Sequence, residues 1–287
     1  MPKFRTFTDF ALGYRARGES RSGPQYRVPS RTISYGSHPL QALDLHTTGN
    51  CERPIIVFVH GGAWQFGDKA RRLQDMKIPF AHSEGWHFAA LNFRMVPEVG
   101  LAGMAGDVAA GIASLMEQAN TLGIDRKRIV LMGHSSGAHL AALVGTDPAL
   151  LGRHGVALSD IAGVIANDGA AYDARQPSTG SPLLERRLVA PAFAGCDRAA
   201  FSPVVHASKA ALRPPFLILH AARKYAVHQS RLLEQALRNS TVPAERHGFP
   251  GTGAFAHLQL SRQLGRPGFG PTEVTRKWLR KIGHAEI

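Results

Sequence analysis

The stretch RIVLMGHSSGAHLAALV, residues 128–144, places a glycine-flanked serine between an apolar strand and an apolar helix. Its centre, Gly133-His-Ser-Ser-Gly137, fits the pattern G-x-S-x-G. A sharp strand-to-helix turn holds a serine hydroxyl clear of the backbone and close to N–H donors, and flanking glycines give such a turn room. Ser135 is therefore the first candidate nucleophile. Because short glycine-containing patterns also arise by chance, the rest of the chain must supply a base and an oxyanion site.

The composition is that of an ordinary globular chain. It has 287 residues, of which 44% are hydrophobic and 19% charged, enough for one large α/β unit. No apolar run is long enough to span a membrane, and the N-terminus carries no apolar signal segment, so we expect a cytoplasmic protein. Cys51 and Cys196 are far apart in sequence and are expected to be unpaired thiols.

The net charge of +13 raises the question of an anionic partner. The basic residues are scattered in ones and twos and form no recognisable nucleic-acid module. We therefore expect a basic solvated surface, no nucleic-acid partner and no membrane partner.

Apolar strands alternate with helical patterns along most of the chain. Residues 1–30 are polar and Arg-rich, contain Gly13, Gly18, Gly23 and Pro24, and are predicted to form an N-terminal arm. Beyond them, an antiparallel pair at 32–35 and 41–46 should precede buried strands alternating with helices, a pattern typical of an α/β fold with a mostly parallel sheet and helices on both faces. The predicted strands are 55–60, 87–93, 128–132, 161–166, 215–220 and 244–249, and the predicted helices are 103–122, 138–145, 229–239 and 272–282. The irregular stretch 169–206 is predicted to be a small cap or insertion.

A second glycine-rich turn, His60-Gly-Gly-Ala-Trp64, follows the predicted strand 55–60. Acyl transfer develops an oxyanion, which preorganised backbone N–H groups stabilise by several kcal/mol. Glycines allow the backbone to approach a substrate closely, so Gly61, Gly62 and Ala63 suit this purpose. This turn and the G-x-S-x-G turn together are a stronger signal than either alone.

These motifs resemble the α/β-hydrolase fold, in the branch that carries HGGxW. This branch includes carboxylesterases related to hormone-sensitive lipase, feruloyl-esterase-like enzymes and kynurenine formamidases. The resemblance also covers Asn92-Phe-Arg-Met-Val-Pro-Glu98, Gly133–His139 and the segment around His257. It implies an α/β-hydrolase domain over residues 31–287. It also implies that the backbone N–H groups of Gly62, Ala63 and Ser136 form the oxyanion hole.

The same resemblance places a catalytic histidine after the last strand, in the order Ser, acid, His. The glycine-rich segment Pro250–His257 is predicted to be a loop before a helix, and His257 is the candidate base. His134 and His139 flank Ser135, and we expect them to orient the turn or fill a pocket.

The triad acid is missing from its usual place. Similar enzymes carry an Asp about seven residues before Gln229, which here is Ala222, and residues 221–228 contain no carboxylate. Asp168, at the end of the preceding predicted strand, is the leading substitute, with Asp173 and Glu98 as weaker candidates. The alternatives are a Ser135–His257 dyad without an acid and a protein that has lost catalysis.

These residues favour a serine carboxylesterase that hydrolyses a small carboxylic ester through an acyl-enzyme on Ser135. An arylformamidase is the alternative, and a non-catalytic ligand-binding protein is the second alternative. Trp64, Phe66 and Phe255 are predicted to line the substrate pocket. No metal-ligand spacing and no nucleotide motif is present, so no metal and no cofactor are expected; the substrate would be a small ester or amide. The sequence indicates no oligomeric state.

Overall fold

The computed structural model describes residues 30–49, 51–70, 76–209 and 214–283. The predicted N-terminal arm lies outside these residues, apart from Ser30, which begins the first strand. Within the described ranges, no helix is both long enough and apolar enough to cross a bilayer.

One sheet of eight strands runs through the described part of the chain, in the order β1-β2-β4-β3-β5-β6-β7-β8. The pairs β1–β2 and β2–β4 are antiparallel and the other pairs are parallel. The α/β fold, the mostly parallel sheet and the early antiparallel pair are therefore confirmed. The strands are β1 (Ser30–Ser34), β2 (Ala42–His46), β3 (Arg53–Val59), β4 (His87–Leu91), β5 (Ile124–His134), β6 (Ile161–Asn167), β7 (Phe216–Ala221) and β8 (Ala244–Phe249).

Helices cover both faces of this sheet. Ile55 and Val57 of β3 belong to the core on one face, whereas the intervening Ile56 belongs to the core on the other, because successive side chains of a strand point in opposite directions. The helices are α1 (Lys77–Ser83), α2 (Leu101–Glu117), α3 (Ala119–Leu122), α4 (Ser136–Val144), α5 (Pro148–Gly152), α6 (Pro182–Leu184), α7 (Pro203–Ala207), α8 (Lys224–Asn239), α9 (Gly253–Arg262) and α10 (Gly270–Gly283), with a 3₁₀ turn at Leu158–Asp160 and a π-helical turn at Glu185–Val189.

Several element boundaries differ from the predicted ones. The predicted helix 103–122 is two helices, α2 and α3, and it ends at Gly123 in the left-handed conformation (φ 66°). The strand β5 begins four residues earlier than predicted because Ile124 already pairs with Arg53 of β3. The helix α8 begins at Lys224 instead of residue 229, and α1 was not predicted.

The irregular stretch 169–206 packs against the core and against the residue that follows the Gly61–Trp64 turn. Gln65, next to Trp64, donates from Nε2 to the carbonyl oxygens of Arg187 (3.1 Å) and Leu188 (3.2 Å). Tyr172 and Phe193 from this stretch are buried with the strands of one sheet face. The segment is thus tied to the same edge of the sheet as the serine turn.

Candidate active site

Ser135 lies between the end of β5 and the first residue of α4. Its backbone has φ 57° and ψ −122°, a conformation that residues with a side chain rarely adopt. Gly133 and Gly137 allow the turn because of close backbone contacts. A Cβ at Gly133 would lie 2.1 Å from the Gly137 oxygen, and one at Gly137 would lie 2.2 Å from the Val59 oxygen. The glycines are therefore required by close packing on both sides of the serine.

The structure brings Ser135, His257 and Asp168 into one chain of hydrogen bonds. The His257 Nε2 atom lies 3.0 Å from Ser135 Oγ, and its Nδ1 atom lies 2.6 Å from Asp168 Oδ2. The contact with the carboxylate assigns a proton to Nδ1 and leaves Nε2 as the acceptor facing the serine hydroxyl. Asp173 and Glu98 pair instead with Arg175 and His38.

The carboxylate of Asp168 is fully buried, and both of its oxygens accept hydrogen bonds. Its Oδ1 atom accepts from the Ala221 N–H (3.0 Å), and its Oδ2 atom accepts from Arg223 Nη2 (2.8 Å) as well as from His257. Burial alone raises the pKa of Asp168, but the hydrogen bond and charge of His257, followed by Arg223 and the Ala221 N–H, hold this pKa below the usual range. The group is thus an anion at neutral pH.

Two residues at the ends of paired strands hold the helix that carries His257. His134 and Asn167 are partners in the β5–β6 register. His134 immediately precedes Ser135, and Asn167 immediately precedes Asp168. His134 donates from Nε2 to the His257 carbonyl oxygen (3.0 Å), and Asn167 donates from Nδ2 to the Leu260 carbonyl oxygen (2.9 Å).

The environment keeps His134 neutral in this position. Burial, and then the charge of His257, lower the pKa of His134 far below that of an ordinary histidine. The His134 and His257 rings also touch, with centroids 4.5 Å apart.

The predicted loop around His257 is wrong in one respect. His257 lies inside the helix α9 and not in a loop before it. After Gly253, the residues Ala254, Ala256 and Leu258 are good helix formers, so the helix begins four residues before the histidine. The ring is presented from the first turns of a helix, and it is still aimed at Ser135.

The turn Gly61–Trp64 lies against the serine turn. A Cβ at Gly61 would lie 3.0 Å from the Ser135 Cβ atom. Gly62, Ala63 and Trp64 all have positive φ (145°, 54° and 59°), which holds this backbone in an unusual curve. Among the hydrogen bonds of the described residues, none uses the N–H of Gly62 or Ala63 as its donor. The Ser136 N–H belongs to the first residue of α4, where helix donors have no partner within the helix.

A buried cluster joins this turn to α4 and to the stretch 169–206. Trp64 donates from Nε1 to His139 Nδ1 (3.3 Å), and His139 donates from Nε2 to the Phe201 carbonyl oxygen (2.9 Å). The Phe193 ring meets the Trp64 ring edge-on at 5.4 Å. Burial lowers the pKa of His139 to about 4, so this imidazole is neutral and both of its nitrogens are engaged.

The three predicted pocket residues occupy different environments. Trp64 is 2% exposed and packs inside the cluster just described, whereas Phe66 is half-buried. Phe255 is 69% exposed on α9, two residues before His257. Their role in a substrate pocket stays a prediction. Cys51 and Cys196 are free thiols.

Sequence reasoning missed Arg223 and Asn167. Arg223 contacts both Asp168 and, at 3.1 Å from Nη2 to Nδ1, His257. The available signal was a cation in the loop that lacks the usual carboxylate. For Asn167 the signal was an amide side chain at the end of a buried strand, next to the candidate acid.

The chain is similar to several known hydrolases. It is 28% identical over 232 residues to the probable isoprenylcysteine alpha-carbonyl methylesterase ICMEL2 of Arabidopsis thaliana (75% of this chain, 54% of that protein). It is 28% identical over 261 residues to esterase LipC of Mycobacterium tuberculosis (80% and 63%). A shorter match, 30% over 114 residues, links it to kynurenine formamidase of Salmo salar (39% and 37%). The chain thus spans about half to two thirds of the length of the first two relatives.

The fold is shared with solved esterase structures. Esterase B of Lactobacillus rhamnosis superposes with a TM-score of 0.76 over 96% of this chain and 91% of that one, at 21% identity. This likeness and the sheet order identify the fold as that of the α/β hydrolases. The family model BD-FAE matches residues 43–237, from β2 to the last turns of α8. The chain therefore belongs to the BD-FAE family and has the α/β-hydrolase fold.

Proposed function

We propose that the protein is a serine carboxylesterase that forms an acyl-enzyme on Ser135. The observation that carries this proposal is the continuous chain of contacts from Ser135 Oγ through His257 (3.0 Å) to Asp168 (2.6 Å). A hydroxyl, an imidazole and a buried carboxylate in this order form the arrangement that activates a serine for acyl transfer. The esterase names of its relatives support the same reaction class.

In the acylation step, Ser135 Oγ attacks the ester carbonyl carbon and His257 Nε2 takes the hydroxyl proton. The tetrahedral intermediate carries its negative charge on the former carbonyl oxygen, and the N–H groups of Gly62, Ala63 and Ser136 donate to it. When the intermediate collapses, the C–O bond to the alcohol breaks and His257 returns the proton to the leaving alkoxide. The products of this step are a free alcohol and an acylated serine.

In the deacylation step, water replaces the alcohol. His257 Nε2 removes a proton from the water as its oxygen attacks the acyl carbon, and then protonates Ser135 Oγ as the acid departs. Throughout, Asp168 keeps its hydrogen bond to Nδ1–H of His257 and stabilises the imidazolium that forms twice in each cycle.

The substrate proposed is a small-molecule ester. In this proposal the stretch 169–206 is a cap within an α/β-hydrolase domain over residues 31–287, and Trp64, Phe66 and Phe255 line the pocket. The tie between Gln65 and the cap supports a pocket wall close to the oxyanion turn. A cytoplasmic location is proposed as well, supported by the two thiols that stay unpaired.

A fluorophosphonate probe tests this function directly, because it phosphonylates only an activated serine. The wild-type protein should be labelled and should hydrolyse 4-nitrophenyl acetate, and Ser135→Ala should do neither. Ser136→Ala is the matched control, because it removes a buried hydroxyl without a partner and keeps the backbone N–H. Wild-type protein that neither labels nor hydrolyses the ester would overturn the proposal.

An arylformamidase is the second candidate, favoured by the match to kynurenine formamidase. Ser135 would attack the formyl carbonyl carbon, and His257 would protonate the aryl amine as it leaves. Parallel assays with 4-nitrophenyl acetate and N-formylkynurenine separate the two activities by their ratio of kcat/KM. A non-catalytic binding protein, the third possibility, has no need for the Ser135–His257–Asp168 contacts, and those contacts argue against it.

A further inference from the structure

A cavity of about 590 Å³ lies beside the candidate active site, between α8 and the loop that includes Pro177. Its lining includes Ala222 and Lys224, the two neighbours of Arg223 in the chain. The Arg223 side chain contacts Asp168 and His257 and does not line the cavity. The cavity therefore lies next to the candidate active site but contains none of its residues. It is half-open to solvent, and Lys224 and Arg231 in its lining are exposed.

The wall of this cavity is held by buried polar contacts. Gln229, fully buried on α8, accepts from the Asp173 N–H (2.8 Å) and donates to the carbonyl oxygens of Asp173 (3.2 Å) and Pro177 (3.3 Å). His228 contacts Gln176 Oε1 through Nε2 (2.8 Å). These bonds fix the loop against the helix, so the cavity is a preformed feature of the fold.

The helix contributes a row of basic side chains to this cavity. Lys224, His228 and Arg231 recur at positions i, i+4 and i+7 of α8, which places them on one face, and all three line the cavity. The lining contains no Asp or Glu. Within the described ranges, neither Lys224 nor Arg231 forms an ion pair with a carboxylate.

The remaining lining is apolar and partly aromatic. Tyr225 and Val227 come from α8 and Pro177 from the facing loop. The edge of the Tyr225 ring closes against Gly180, where an added Cβ would lie 3.2 Å from it. These side chains give the cavity an apolar side next to the basic row.

We propose that this cavity binds a small molecule that carries a carboxylate on a flat apolar body. The basic row supplies the hydrogen-bond donors for the carboxylate, and the Tyr225 side supplies the apolar contact. This site is distinct from the acyl-transfer site and does not depend on the proposed hydrolysis.

Benzoate is the probe, titrated calorimetrically into the Ser135→Ala protein, in which no acyl-enzyme can form. We expect saturable binding of benzoate and no binding of benzamide, which has the same ring without the charge. The double variant Lys224→Gln/Arg231→Gln should weaken benzoate binding about tenfold or more, because each lost charge-assisted contact approaches a factor of ten. The matched control is Arg126→Gln/Lys127→Gln, which removes the same charge from exposed residues at the opposite end of the sheet and should leave binding unchanged.

Three results would overturn the proposal: no benzoate binding, equal binding to the Lys224→Gln/Arg231→Gln protein, or equal binding of benzamide. The second result would place the benzoate elsewhere on the molecule. None of them bears on esterase activity, which the fluorophosphonate experiment decides separately.

Discussion

Arg223 donates a hydrogen bond of 2.8 Å to Asp168, from Nη2 to the same Oδ2 atom that accepts from His257. The carboxylate comes from the end of β6, and the guanidinium comes from the loop after β7, where similar enzymes carry the acid itself. In this chain the end of β6 supplies the carboxylate and the loop after β7 supplies its counter-ion. His257 first, and then this pairing with Arg223, keep a carboxylate with no exposed surface ionised.

Asp168→Asn should reduce kcat for 4-nitrophenyl acetate by about 10⁴, the loss seen when the orienting acid of a serine triad becomes an amide. Asp173→Asn and Glu98→Gln are the controls and should retain near wild-type kcat, since both carboxylates pair elsewhere. Steady-state kinetics of the three variants checks this. Unchanged turnover in Asp168→Asn would favour a Ser135–His257 dyad.

Arg223→Gln should lower the free energy of unfolding at pH 7 by about 1–3 kcal/mol, because it removes a charged hydrogen bond from a buried carboxylate. The pKa of Asp168 is lower in the folded state, so its stabilising contribution is present above pH about 4 and is lost as the pH falls further. Both proteins should therefore lose stability as the pH falls below about 4, and the difference between them should persist from pH 7 to pH 4. Urea unfolding at these two pH values measures it.

The control for this experiment is Arg238→Gln. Arg238 is 61% exposed in its pair with Glu234, so the substitution should change stability by less than about 1 kcal/mol. Equal unfolding free energies of Arg223→Gln and wild type at pH 7 would contradict the assignment.

His134→Leu should lower kcat about tenfold with little change in KM, because it removes the donor to the His257 carbonyl and lets the histidine helix shift. His134→Gln keeps an N–H donor and should recover most of the rate. Equal rates in the two variants, with both proteins folded by circular dichroism, would show that this hydrogen bond does not position His257.

His139 should make the protein less stable in mild acid. Its pKa is about 4 when folded, against 6.5 for an unperturbed histidine, so the unfolded chain binds more protons between these pH values and stability rises with pH across this window. The contribution is about 3 kcal/mol in total. His139→Gln should flatten this part of the profile of unfolding free energy against pH, and His154→Gln, at an exposed histidine, is the control.

Gly137→Ala should destabilise the protein by at least about 3 kcal/mol and abolish labelling of Ser135, because the new Cβ would lie 2.2 Å and 2.4 Å from the Val59 and His60 oxygens. Gly106→Ala, in α2 with nothing within 4 Å of the added carbon, is the matched control. It should be neutral or stabilise by up to about 1 kcal/mol. Thermal unfolding and probe labelling report both effects.

The parallel core of this fold could be predicted because its strands are buried on both faces and read as continuous apolar runs, as at 55–60 and 161–166. The Ser135 turn could be predicted because its chemistry demands glycines on both sides. The extension of β5 over Ile124–Lys127 could not be, since three of these four residues are charged and the stretch is held by the pairing of Ile124 with Arg53 of β3. The early start of α8 was equally hidden, because Lys224–His228 carries little apolar periodicity.

The residues of the site could be predicted from the sequence, but the contacts between them could not. Ser135, His257 and Asp168 stand out as residue types at strand ends or in a glycine-rich segment. Their mutual distances depend on tertiary contacts that no local pattern encodes. The contacts of Arg223 with Asp168, and of Trp64 with His139, join residues far apart in the chain. Each is a pairing of two individually unremarkable side chains.

The register of His134 with Asn167 has a consequence for how the site assembles during folding. Ser135 follows His134 and Asp168 follows Asn167, and the Ser135 N–H donates to the Asn167 carbonyl oxygen (3.1 Å). The pairing of β5 with β6 therefore places the nucleophile and the acid next to each other. The base arrives from α9, much later in the chain, and docks on the two side chains that this pairing has already set. A partly folded chain with β5 and β6 paired and α9 still undocked would hold an ordered but inert serine. Native-state hydrogen exchange would register this as amides of α9 opening at a lower free energy than those of the two strands.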